Sequence, residues 1–192
     1  MQLQLVTPAT VTPFTLDEVK EHVRQLSNDD DFYLQTLIDA VISQAENITR
    51  RALYTSTWRL YLDCFTTREI LLPRAPLQSV THLKYYDTAG TQQTLDPALY
   101  QVDAVGEPAR VAPLQNTFWP VTQYGKLNAV EIEFVAGWEK RFDLPASLRQ
   151  AMLYHISHMY DVREPVVIGT IQAGIPFTIE AMYAPHRVMR FY

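Results

Sequence analysis

Leu72-Pro73-Arg74-Ala75-Pro76-Leu77-Gln78-Ser79-Val80, continued by Tyr85-Tyr86-Asp87-Thr88-Ala89-Gly90, is the stretch whose reading decides the fold. Pro73 and Pro76 carry no amide hydrogen, so they favour the edge of a sheet and punctuate two strand-like segments. Asp87-Thr88-Ala89-Gly90 supplies a turn with glycine where positive φ is needed, which predicts that the flanking strands pair as a hairpin. Nothing in the stretch is a plausible catalytic group. Arg74, held between the prolines, is expected to contact a neighbouring subunit.

Outward from this stretch, β-branched and aromatic residues persist, and six of the twelve prolines fall between Pro73 and Pro120. Strands are predicted at Thr57 to Phe65, Glu69 to Leu72, Val80 to Tyr86, Gln92 to Leu95, Tyr100 to Val105, Arg110 to Ala112 and Ala129 to Val135. Both flanks are helical. Thr15-Leu16-Asp17-Glu18 has the spacing of a capping box, and Leu16, Val19, Val23 and Leu26 form one apolar stripe. Ser27-Asn28-Asp29-Asp30-Asp31 ends that helix and caps a longer one, from about Phe32 to about Leu53, with Leu34, Leu37, Ile38, Val41, Ala45 and Ile48 at helical spacing. After Asp143-Leu144-Pro145, where Asp143 can cap, Leu148, Met152, Ile156, Met159 and Tyr160 mark a third helix stopped at Arg163-Glu164-Pro165. Gly169 to Gly174 reads as a loop, and Pro176 to Tyr183 as a short last helix.

The expected architecture is α+β: a helical bundle built from the N- and C-terminal parts, residues 14–54 and 144–184, with an antiparallel β module, 55–143, inserted between them. Residues 1–13, with Pro8 and Pro13, read as an extended arm that stays mobile or pairs outside its own core, and 185–192 as a C-terminal tail.

Net charge of -5 and a pI near 5.5 argue against a protein that holds nucleic acid by neutralising phosphates. The single cysteine, Cys64, excludes an internal disulfide and a cysteine-rich metal site; with no signal-like amino terminus it points to a reducing cytoplasm, and it reads as a small packing residue in a strand. No apolar run approaches the roughly 20 residues that span a bilayer, so no membrane partner is expected.

Candidate chemistry is sparse. His155, His158 and Asp161 recur at three-residue steps on one helix and could turn toward a metal ion, but no third cluster completes a site, and a polar strip beside the apolar stripe is the competing reading. Asp29, Asp30 and Asp31 lack the alternating ligands, central glycine and final glutamate of an EF-hand, and helix capping accounts for them. Gly169 to Gly174 lacks the Lys and Ser/Thr of a phosphate loop, and no serine stands in a nucleophile elbow. No cofactor is expected. The tail Arg187, Val188, Met189, Arg190, Phe191 and Tyr192 combines cationic and aromatic groups of the kind enriched in binding hot spots; it either binds a partner or packs as a final turn on its own helices.

The order and spacing of these pieces resemble the head-tail connector, or adaptor, proteins of long-tailed bacteriophages and of gene transfer agents. The resemblance runs from about Phe14 to about Arg190. It is carried by Leu16 to Arg24, Asp29-Asp30-Asp31, Thr49 to Leu53, Thr57-Trp58, Leu72 to Leu77, Tyr85-Tyr86-Asp87, Trp119-Pro120, Phe134 to Trp138, Leu144-Pro145 with Arg149 to Met152, and Tyr160 with Arg163-Glu164. It implies a non-enzymatic virion protein, made in the bacterial host cytoplasm. Such proteins form a ring, typically of twelve copies, beneath the portal of a DNA-filled capsid. The ring would join the portal to a stopper or tail-completion protein and pass DNA through its channel without sequence-specific binding. Docking of the tail, Arg187 to Tyr192, into the portal is the corresponding expectation. A different neck component, or a hydrolase or metal enzyme using His155 and His158, are the alternatives.

Overall fold

The computed structural model describes residues 1–65, 69–162 and 177–189. The predicted stop at Arg163-Glu164-Pro165, the Gly169 to Gly174 loop and the tail residues Arg190, Phe191 and Tyr192 lie outside the described residues. The fold is α+β, as expected.

Helix α1 (Leu16–Val23) begins at the anticipated capping box: Thr15 Oγ1 accepts the Glu18 amide at 3.3 Å, and Glu18 Oε2 accepts the Thr15 amide at 2.9 Å. Removing that hydroxyl in Thr15→Ala is expected to cost about 1 kcal/mol, read as a shift of the denaturation midpoint without change of slope. Leu26 does not belong to the stripe. Arg24 adopts a left-handed conformation with φ 56° and closes the helix on the Glu21 and Lys20 carbonyls, which leaves Leu26 94% exposed. Helix α2 (Asp31–Thr49) likewise stops short of Leu53, because Arg50 turns left-handed at φ 58°.

Helix α3 (Ala146–Asp161) starts after Pro145, with no side-chain cap. Asp143 instead accepts the Lys140 amide at 3.1 Å and closes a short turn before the helix. With α4 (Phe177–Tyr183), the helices from both ends of the chain share one apolar cluster, which includes Phe14, Val19, Leu34, Ile38, Val41, Leu148, Met152, Ile156 and Tyr183.

The middle of the chain, joined by a strand from the amino terminus, forms two antiparallel sheets. Strands β1 (Gln2–Thr7), β2 (Ser56–Leu62), β4 (Leu77–Tyr86), β5 (Gln92–Thr94) and β8 (Val130–Ala136) make one, in the order β1-β2-β8-β4-β5. Strands β3 (Ile70–Leu72), β6 (Tyr100–Asp103) and β7 (Ala109–Pro113) make the other, in the order β3-β7-β6. The period of two is visible in β2 and β8, where every second side chain is buried, and Trp58, Leu60, Leu62, Val130, Ile132 and Phe134 build a second apolar cluster.

The predicted hairpin forms: Tyr86 pairs with Gln92, and Asp87 Oδ1 accepts the Ala89 and Thr91 amides, both at 2.9 Å. The amino-terminal arm is corrected by the structure. Gln2 to Thr7 pairs antiparallel with Tyr61 to Thr57, with a register shift between Leu5 and Thr7, and becomes the edge of the chain's own sheet, with Leu3 packed on its core. The prolines divide as well: β3, just before Pro73, is a sheet edge, whereas β4, just after Pro76, lies between β8 and β5.

Candidate assembly surfaces

A helix leaves its last carbonyls without intrahelical donors, and at the end of α2 those donors come from far along the chain. Arg74 Nη1 donates to the carbonyls of Glu46 at 2.7 Å and Arg51 at 3.1 Å, its Nη2 reaches Asn47 Oδ1 at 3.3 Å, and its guanidinium lies 4.8 Å from the centre of the Trp58 ring. Burial there pulls the Arg74 pKa below its usual value, and burial also raises that of Glu46, whose Oε1 accepts the Leu53 amide. The Val188 amide donates to the Thr49 carbonyl at 2.9 Å, and Arg187 Nε to that of Ile48 at 3.1 Å.

Arg51 ties the same point to the β module. Its fork donates to both Glu107 oxygens, at 2.7 and 2.5 Å, its Nε to the His186 carbonyl at 2.6 Å, and it lies 5.7 Å from the Trp138 ring centre. The bidentate bond holds Glu107 below the ordinary carboxylate range. Arg51 and Glu107 were invisible to sequence reasoning, since only the fold brings residues this far apart in the chain together. Arg74 and Val188, both singled out in the sequence, meet here: with Leu3, Asn47, Arg50 and Pro73 they line a cavity of about 310 Å³.

For the described part of the tail, packing on the chain's own helices is what the structure shows. Val188 is buried, Arg187 bonds to α2, and Met189 faces solvent.

The candidate metal helix resolves differently. His155 is buried, and its Nδ1 lies within hydrogen-bond distance, 3.3 Å, of Tyr183 Oη. Burial, then His158, lowers the His155 pKa, and burial raises that of Tyr183. A base with a depressed folded pKa binds its proton first in the unfolded state. Stability is therefore complete above the ordinary histidine value of about 6.5 and falls as pH drops below it. Denaturation midpoints between about pH 7.5 and 5.5 should show this slope, and His155→Gln should reduce it, the remainder coming from His186, whose pKa burial and then Arg51 also lower.

Among the described residues no three His, Cys, Asp or Glu side chains are grouped to hold a metal, and no helix is long and apolar enough to cross a membrane. Tyr160 donates to Asp30 at 2.6 Å and Lys20 to Asp31 at 2.7 Å, so the acidic run is tied into helix contacts. Cys64 is exposed rather than packed, because β2 ends at Leu62 and Asp63 turns to accept the Asn128 amide at 2.9 Å.

No protein-family model and no curated protein matches the chain. Chains from solved particles do, and three of them match over 100% of this chain and 98% of their own length. One belongs to the neck of an empty gene transfer agent particle computed with C6 symmetry, at 27% identity and a TM-score of 0.82. The second is from the virion of a native gene transfer agent particle, at 26% identity and 0.81, and the third from the neck of a native particle computed with C12 symmetry, at 26% and 0.79. From end to end, the chain is similar to components of gene transfer agent particles and their necks.

Proposed function

We propose that the chain is a structural neck protein acting as a head-tail adaptor. Copies form a ring beneath the portal, join the DNA-filled capsid to the next neck component, and leave a channel through which DNA passes. The observation that carries this reading is the full-length match to neck chains from assemblies of C6 and C12 symmetry. A cyclic ring needs two different, complementary faces on each subunit, and a chain whose helices share one apolar cluster and whose strands share another offers two unlike surfaces. The net charge of -5 suits a conduit, because a basic wall would retain the genome.

In this reading the tail from Arg187 to Tyr192 reaches the portal. Since Arg187 and Val188 cap α2, the portal contact falls to Met189 and the residues after it, and the test must spare the cap. A chain ended at Met189 should keep its melting temperature and no longer co-sediment with portal-bearing capsids; undiminished binding contradicts the docking. The neighbour contact expected of Arg74 carries a condition. Its guanidinium already holds α2, so Arg74→Glu is to be read for monomer stability before ring formation.

A further inference from the structure

Between β7 and β8, residues 114–129 form no helix or strand, and four apolar side chains along them face solvent: Phe118 is 92% exposed, Val121 75%, Tyr124 103% and Leu127 76%. No charged residue occurs from Leu114 to Gly125. The segment is nonetheless held in place. Trp119 stacks on Phe65 with ring centres 4.8 Å apart and planes within 5°, the Gln123 amide donates to the Tyr86 carbonyl at 3.0 Å, and Lys126 Nζ sits 4.0 Å above the Tyr86 ring. A preformed, uncharged, aromatic projection of this kind is what a binding hot spot requires, since little freedom remains to be lost on contact.

At the opposite end of β2 the chain carries a concavity. A groove of about 360 Å³ runs between the amino-terminal arm and α2, lined by Leu5, Val11, Ile42, Tyr54, Trp58 and Asp39, whose Oδ1 accepts from Gln35 Nε2 at 3.3 Å and whose Oδ2 is the oxygen left for a second donor. The projection stands where β2 ends, beside Asp63, and the groove where β2 begins, at Ser56 and Trp58, so about 20 Å of strand separates them.

We infer that the projection of one copy seats in the arm–α2 groove of the next, with Phe118 and Tyr124 as the inserted side chains and Asp39 as acceptor for the Tyr124 hydroxyl. A knob and a socket at opposite ends of one strand make a heterologous, head-to-tail contact, which closes into a ring when each step adds a fixed rotation. Solved chains of this fold occur in necks of C6 and C12 symmetry, which is the arrangement such a contact generates. The inference rests on the ring reading and assigns its lateral surface.

The test is Tyr124→p-benzoylphenylalanine in the full chain, incorporated into purified particles and irradiated. The expected product is a dimer of this chain, cross-linked within residues 1–13 or 39–58. An adduct with a different protein, with another segment of this chain, or no adduct overturns the inference and leaves the neck reading intact; absence of the chain from particles overturns both. The double variant F118D with Y124D, at positions exposed in the monomer, should melt like the parent. It should enter particles about ten-fold less, the effect of losing roughly 1.4 kcal/mol of contact. Equal incorporation also overturns the inference.

Discussion

Gly137→Ala is expected to abolish folding. Gly137 sits at φ +111°, where side chains are strained, and a Cβ added there would lie 2.2 Å from the Tyr54 carbonyl oxygen, 2.3 Å from its carbon and 2.8 Å from the Thr55 nitrogen. All three are backbone atoms and none can swing away. The neighbouring chain is pinned on both sides: Gly137 donates to the Pro76 carbonyl at 2.8 Å, and Thr55 to that of Trp138 at 3.1 Å. This is the crossing at which the chain leaves α2 for β2 and returns from β8 toward α3, so a shift here separates the helical cluster from the sheet. A loss above about 4 kcal/mol, comparable with much of a domain's stability, should appear as insoluble protein or as loss of the cooperative melt. A variant melting within a few degrees of the parent would show that the crossing is less tight than described.

Arg51→Ala should produce the next largest loss, about 3 kcal/mol. It leaves the His186 carbonyl and the Glu107 carboxylate without their donor and removes the guanidinium packed by Trp138. Arg51→Lys keeps the charge but not the fork, and should recover only part of that loss. Glu107 gives the same contact a pH signature. Its folded pKa is depressed, so its contribution is present above the unfolded carboxylate value of about 4.3 and is lost as pH falls through the lower folded value. Glu107→Gln should remove that part of the acid slope while costing less than Arg51→Ala, because the carboxylate is 41% exposed. An unchanged denaturation midpoint in Arg51→Ala would refute the tie between α2, the small sheet and the tail.

What could be read in the sequence was whatever is local. The Thr15 to Glu18 capping box, the stripes of α2 and α3, the Asp87 to Gly90 turn and the strands at β2 and β8 each depend on residues within a few positions of one another, and each appears where expected. The helix ends were misplaced because Arg24 and Arg50 take left-handed conformations that glycine usually marks. The arm was misread for a related reason. Pro8 and Pro13 suggested an arm that is mobile or pairs outside its own core, whereas the alternation of Leu3 and Leu5 is the signal of the strand that pairs with β2.

Arg74 shows the limit most plainly. Its place between two prolines was legible, but its bonds to the end of α2 depend on packing across distant segments that no local pattern records. The same holds for the projection around Tyr124, since sequence reveals its aromatics but not that they face outward.

The most direct test of the adaptor reading is a cryo-EM map of the neck in particles that carry this chain. The account predicts a closed ring of these copies, with the C12 symmetry of the related neck, seated directly on the portal and leaving an open channel. A ring separated from the portal by another protein, or one that plugs the channel, would contradict it.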